Sequence, residues 1–171
     1  MELLRIPTAR LELVLGTPDL FRRDLENRAA LGVALDARVP EAWPPPMMDD
    51  ATLRQFIALS SDPDGPVLAG FYWVLVENGE RILIGNGGLT LEAPDRFALG
   101  YSVLDEYQGR GLATEAVAAL VAFGFETPGI ERIVAYTYPS FAASRRVLAK
   151  SGFMPIGAGG APGTIAFERR R

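Results

Sequence analysis

The stretch Tyr101–Phe125, YSVLDEYQGRGLATEAVAALVAFGF, changes character at its centre. An alternating apolar segment ends at Leu104, glycines bracket a turn at Gln108-Gly109-Arg110-Gly111, and an alanine-rich apolar run follows. The pattern predicts a strand, a turn and a helix reaching about Glu126. Gly109 and Gly111 permit backbone conformations and close approaches that side chains block. A helix beginning near Leu112 points its unpaired N–H groups back into that turn. Such a turn is an anion cradle suited to phosphate, and Arg110 lies within it to add charge. The same residues also read as a tight strand-to-helix connection that needs glycine for packing alone.

Two familiar phosphate motifs fail here. A dinucleotide fingerprint needs a third glycine where Thr114 stands, and an acidic residue ending the next strand, where Tyr138 and Pro139 stand. A triphosphate P-loop needs Lys-Ser/Thr after its last glycine, whereas Leu112-Ala113 follow Gly111. What survives is a site for a pyrophosphate-bearing ligand whose remaining length lies along the strand end Ser102-Val103-Leu104.

Downstream of the turn, ERIVAYTYP returns as a strand ending at Pro139. SFAASRRVLAKSG then reads as a helix capped by Ser140, with Lys150 in its last turn and Gly152 just beyond. FMPIG and TIAFERR, separated by the glycine-rich loop Gly157–Gly163, form a closing hairpin. Upstream, GFYWVLVE, RILIGNGGLTLE and RFALGYSVL make an antiparallel meander, turning at Asn78-Gly79 and near Ala93-Pro94-Asp95. Gly85, Gly87 and Gly88 inside one strand predict a bulge or a close backbone approach.

Nearer the N-terminus, ARLELVLG alternates as a half-buried strand, and Thr17-Pro18-Asp19 opens a helix to about Ala30. DATLRQFIALSS is a second helix. Between them the prolines of VPEAWPPPMMDD forbid regular structure. Trp43, Met47 and Met48 in that segment read either as a flap packed on the core or as a wall that contacts substrate. Together these elements predict a single α/β domain over residues 1–171, with a mixed, mostly antiparallel sheet and helices on both faces.

A chain of 171 residues that is 49% hydrophobic buries one substantial core and is short for two. With no cysteine and no histidine, disulfides, thiolate metal sites and a cysteine nucleophile are excluded, and the commonest metal ligand and general base are missing. Chemistry falls to carboxylates, hydroxyls, amines and backbone groups, and no metal is expected. The net charge of −4 argues against a nucleic-acid binder with a broad basic face. No apolar run approaches the roughly 20 residues that span a bilayer, and the N-terminus lacks a signal-peptide layout. The expectation is a cytoplasmic protein without a membrane partner.

GYSVLDEYQGRGLATEAVAALVAFGF followed by ASRRVLAKSGF resembles the acetyl-CoA-binding core of the GNAT N-acetyltransferases. Within that family it is similar to the branch of ribosomal-protein N-terminal-alanine acetyltransferases. Gln108 to Ala113 match the family's Q/R-x-x-G-x-G/A motif, and Ser144, Lys150, Gly152 and Phe153 match its second helix and the strand after it. TARLELV and IGNGGL fit more loosely, and little between Leu31 and Asp64 contributes.

The resemblance implies that the turn from Gln108 through Gly109, Arg110, Gly111, Leu112 and Ala113 to Thr114 binds the pyrophosphate of acetyl-CoA. It implies that pantetheine runs along Ser102, Val103 and Leu104, and that a splay before the next strand admits the thioester. The acceptor would be an amine, on a small molecule or a protein, and the enzyme a monomer or homodimer. A free N–H near Val103 is expected to polarise the thioester carbonyl. Ser144 is expected on the cofactor side as proton donor to the departing thiolate, with Tyr138 as the second candidate. Two positions depart from the pattern. Ala98 stands where the branch often has a glutamate, and Phe141 where an asparagine usually contacts the cofactor. Glu92, Asp95 and Asp105 are available as bases but read as solvated turn residues. A second reading, favoured by Ala98 and Phe141, is a catalytically weak acyl-CoA-binding sensor or interaction module.

Overall fold

The computed structural model describes residues 2–65 and 67–171. The N-terminal part comprises β1 (Arg5–Pro7), β2 (Leu11–Leu15), α1 (Pro18–Glu26), α2 (Arg28–Leu35) and α3 (Asp50–Ser61). The meander is β3 (Leu68–Glu77), β4 (Glu80–Ala93) and β5 (Arg96–Val103). Then come α4 (Leu112–Glu126), β6 (Arg132–Thr137), α5 (Ala142–Lys150), β7 (Met154–Ala158) and β8 (Ile165–Arg170). All the strands join one eight-stranded sheet in the order β1-β2-β3-β4-β5-β6-β8-β7, antiparallel except where β5 meets β6. The mixed, mostly antiparallel sheet is as expected.

Alternation along the strands splits the core between the sheet's two faces. Leu13, Trp73 and Ile84 pack with Leu112, Val117 and Leu120 of α4. Val14, Tyr72 and Val74 pack on the other face with Leu20 and Phe21 of α1, Leu31 of α2 and Leu53 of α3. Helices therefore cover both faces. Among the described residues no helix is long and apolar enough to cross a membrane.

Local signals explain most boundaries. Thr17 caps α1 by accepting from the Leu20 N–H, and Asn78 and Gly79 both adopt positive φ (52° and 76°), the geometry of a tight two-residue hairpin. The helix expected to run from Thr17 to Ala30 is divided. Asn27 leaves helical geometry, and its side chain accepts from the Ala30 N–H, so it starts α2. Ser140 does not cap α5: the helix begins at Ala142, preceded by Phe141, with no side-chain cap. β1 was not anticipated, because three residues carry no pattern until they pair with β2.

Two features of the central strands shape the site. Gly70, Gly88 and Gly100 lie side by side on β3, β4 and β5, so a row of bare backbone crosses the sheet. A Cβ at Gly88 would lie 2.3 Å from the Ala69 carbonyl oxygen, so the row also draws strands close. The β3–β4 register shifts at Trp73/Val74, which supplies the bulge expected among the β4 glycines. Further on, β5 and β6 pair only from Arg96↔Arg132 to Leu99↔Ala135, while β6 stays paired with β8 as far as Thr137↔Ile165. Beyond Leu99 the two strands part.

Asp24 of α1 is wholly buried (0% exposed), where its carboxylate accepts from Trp43 Nε1 (2.8 Å) and the Tyr72 hydroxyl (3.0 Å). Burial pushes its pKa above the usual aspartate range, against the opposing effect of those two bonds and of Arg28. The native state thus holds the proton more tightly than the unfolded chain. This contribution to stability is complete below the ordinary aspartate pKa of about 3.9 and is lost as pH rises through the raised value. Asp24→Leu would strand two buried donors, so we expect a loss of roughly 3 kcal/mol, or a melting temperature lower by about 6–12 °C. Asp24→Asn, which keeps one acceptor oxygen, should lose less. Thermal melts of both variants check this, and a wild-type melting temperature for Asp24→Leu would contradict it.

Candidate active site

At the centre of the chain the glycine turn behaves as an N-terminus without a lid. Gly109 (φ 74°) and Gly111 (φ 77°) both occupy the left-handed region, and Gly111 is the N-cap of α4 with no side-chain capping bond. The first hydrogen bond of α4 runs from Glu115 N–H to the Gly111 carbonyl. The amides of Leu112, Ala113 and Thr114 therefore open outward, together with the positive end of a 15-residue helix dipole. The turn is braced from the N-terminal hairpin. Glu115 accepts from the Thr8 hydroxyl and the Arg10 amide (2.6 Å each) and from Arg10 Nε (2.8 Å), while Arg10 also donates to the Arg110 carbonyl (2.9 Å). Partial burial opposes ionisation of Glu115, yet these bonds hold its carboxyl below the usual range.

This turn opens into a cleft of about 880 Å³ that continues into the gap between β5 and β6. The Leu104 N–H bonds back to Ile84 of β4 (2.8 Å), so alternation directs the N–H groups of Tyr101 and Val103 toward the gap. The Val103 carbonyl on that side accepts from the Gln108 side chain (3.1 Å). Tyr136 of β6 and Tyr138, just past its end, line the same cleft, and Arg146 and Lys150 of α5 add positive charge to the rim. Unpaired amides at a helix start, a free strand edge and nearby cations form a donor set that fits a long, anionic, amide-rich ligand such as acetyl-CoA.

On the α5 wall Ser144 Oγ lies 3.2 Å from the hydroxyl of Tyr101, which also reaches the Ser144 carbonyl (3.4 Å). Both residues line the cleft. Burial pushes the Tyr101 pKa up, so its proton is retained at the pH of the reaction. Tyr138 lines the cleft edge-on to Phe141, with ring centroids 5.2 Å apart.

Carboxylates are scarce at this site. Among the described residues none lines the cleft or the smaller cavity behind β5. Glu92 pairs with Arg96 (2.9 Å) and accepts from the Tyr136 hydroxyl, and Asp95 pairs with Arg132 (3.0 Å), which holds its carboxyl below the usual range. Asp105 accepts from Gln108 (3.2 Å), and Ala98 is matched with Thr90 on β4 and Val134 on β6.

Several residues named from sequence alone sit apart from the cleft. Arg110 contributes its backbone to the turn, but its guanidinium turns away to Glu77 (2.6 Å). Leu104 is buried in the core on the α1–α3 face. Trp43 is 3% exposed and tied to Asp24, so of the three residues named in the proline-rich segment Met47 and Met48 reach these two cavities, beside Pro46, and Trp43 does not. Ser102, Val103, Gln108, Gly109, Gly111, Leu112, Ala113, Thr114, Tyr138 and Ser144 all line the cleft. Tyr101, Arg10 and Arg146 went unnamed, and only the alternation of GYSV hinted at the first.

The chain is similar to known proteins along most of its length. A model of the acetyltransferase (GNAT) domain matches residues 20–154. An uncharacterized N-acetyltransferase of Bacillus subtilis (strain 168), YoaA, is 32% identical over 90 residues, covering 52% of this chain and 51% of the relative. The ribosomal protein uS5-alanine N-acetyltransferase of Escherichia coli (strain K12) is 33% identical over 88 residues, covering 50% of this chain and 45% of the relative. The chain thus spans about half the length of the curated relatives it matches. The microcin C7 self-immunity acetyltransferase MccE, solved with acetyl-CoA and AMP, superposes with a TM-score of 0.65 at 13% identity, covering 95% of this chain and 93% of that one. At that identity the likeness concerns the fold.

Proposed function

The chain belongs to the acetyltransferase (GNAT) family, and from that premise we propose that residues 1–171 act as one N-acetyltransferase domain on a primary amine. The observation that supports this most is the continuity of the glycine turn with the gap beyond Leu99. When bound, acetyl-CoA supplies an activated acetyl group as a thioester. The amides of Leu112, Ala113 and Thr114 hold its pyrophosphate, with Arg146 and Lys150 adding charge. The N–H groups of Tyr101 and Val103 grip the pantetheine edge, and the Val103 N–H polarises the thioester carbonyl.

Ser144 Oγ delivers a proton to the departing sulfur, Tyr101 replaces it across the 3.2 Å between the two hydroxyls, and the proton that the amine gives up to water restores Tyr101. A thiol pKa near 8.5, taking cysteine as a guide, asks little of that donor. Since no carboxylate lines either cavity among the described residues, the amine loses its own proton to water before or during attack. The domain works in the cytoplasm, as a monomer or homodimer.

We expect amine-dependent thiol release from acetyl-CoA, rising with pH as the acceptor amine deprotonates, with labelled acetyl recovered on the amine. A protein that binds acetyl-CoA yet releases no thiol with any primary amine would favour the sensor reading.

A further inference from the structure

On the other side of β5 lies a second cavity, of about 210 Å³, which meets the cofactor cleft at Met47, Gly100, Tyr101 and Ser102. Its floor is the row Gly70, Gly88 and Gly100. Without Cβ atoms these residues leave flat peptide surface against which a planar group can lie. The walls are aromatic. Phe21 of α1 and Phe56 of α3 stand with ring centroids 5.5 Å apart, and Tyr72 of β3 lies 5.9 Å from Phe21. Met47 and Met48 close the remaining side.

Among the described residues no charged side chain lines this cavity. Its polar anchor is Asn86. That residue is 9% exposed, sits between Tyr72 and Ser102 in the sheet register, and has no side-chain hydrogen-bond partner among the described residues. The neighbouring Ser102 hydroxyl is already committed to the Pro46 carbonyl (2.5 Å).

We propose that the acceptor is an arylalkylamine, with one aromatic ring on a short chain that ends in a primary amine and carries no carboxylate. The inference rests on the acetyl-transfer reading above. A ring fits by size, since an apolar cavity of about 150 Å³ holds a benzene and this one leaves room for a linker. Stacked on the glycine floor beside Phe21, Phe56 and Tyr72, the ring directs its amine toward Asn86 Oδ1, near the junction with the cofactor cleft. A carboxylate in this cavity would stay charged and be desolvated with no cation to pair it, whereas the amine enters as the neutral base, having left its proton in water. A peptide N-terminus would bring backbone amides to a cavity whose one buried, free carboxamide is Asn86.

The test is a calorimetric titration of 2-phenylethylamine, L-phenylalanine, propylamine and a short peptide beginning with alanine, each with and without CoA. The expected result is 2-phenylethylamine binding about tenfold or more tightly than propylamine, the yield of burying a phenyl group, with L-phenylalanine and the peptide weaker still. Thr90→Phe, which fills the cavity from β4, should remove that preference and leave CoA binding intact. Asn86→Leu should weaken 2-phenylethylamine without touching CoA. Propylamine, L-phenylalanine or the peptide binding as tightly as 2-phenylethylamine would overturn the proposal, whatever CoA does. Failure of CoA to bind at all would instead strike the acetyl-transfer reading, while the CoA-free titration still decides the acceptor. If a variant does not fold, the order of the four amines on the unaltered protein decides alone.

Discussion

Gly111→Val is expected to abolish acetyl-CoA binding in a protein that still folds. Gly111 sits at φ 77°, in the region that L-residues avoid, so a β-branched side chain there costs about 1–2 kcal/mol of local strain. A Cβ at this position would meet only Arg10, at 3.5 Å, so nothing in the core has to move. The isopropyl group would instead stand in front of the open amides of α4 or shift their approach. Each hydrogen bond to a charged group contributes about 1.5–3 kcal/mol, so losing two of them lowers affinity by about a hundredfold or more. In the unaltered protein acetyl-CoA at about 100 times its Kd should add roughly 2.7 kcal/mol of stability by mass action. The variant should show no such thermal shift. Undiminished affinity in a folded Gly111→Val protein would remove the turn from the site.

The second large effect is on turnover. Ser144→Ala should lower kcat by about 10²–10⁴-fold with acetyl-CoA affinity nearly intact, provided that chemistry limits the rate. Ser144 Oγ lies 3.2 Å from the hydroxyl oxygen of Tyr101. Tyr101→Phe should reproduce part of that loss, because Ser144 then lacks its source of replacement protons. Replacing Glu92, Asp95 or Asp105 should cost little, because among the described residues none of the three lines either cavity. Steady-state kinetics across pH, with cofactor affinity measured separately, discriminate these outcomes. Full activity in Ser144→Ala would sink the acid assignment, and collapse of one carboxylate variant that still binds both ligands would reveal a base.

What could be read from the chain was whatever a few neighbouring residues decide. The glycine turn, the Thr17 cap and the Asn78-Gly79 hairpin each depend on local backbone preference, and each lies where the pattern puts it. The sheet's make-up followed from alternation and turn spacing. What stayed hidden depends on contacts distant in sequence. Tyr101 and Ser144 meet only once β5 and α5 are packed across the cleft. Trp43 read either as a flap packed on the core or as a wall that contacts substrate, and its bond to Asp24, on another element, puts it in the core. Arg110 turned from the expected phosphate to Glu77, which the β3–β4 hairpin delivers to its side. Asn27 divided a helix because one side chain competed successfully for the backbone, a choice that helical periodicity does not register.

The parting of β5 from β6 has a bearing on how the molecule keeps to itself. A sheet normally exposes raw edges only at its two ends, and any unpaired strand is a template on which another chain can polymerise. Here an additional pair of such edges lies in the middle of the sheet, past Leu99 and Ala135. The aromatic pair Tyr138 and Phe141 and the start of α5 crowd that opening, leaving a slot lined by side chains in place of a bare margin. Side chains thus stand where bare backbone would otherwise be offered to another chain.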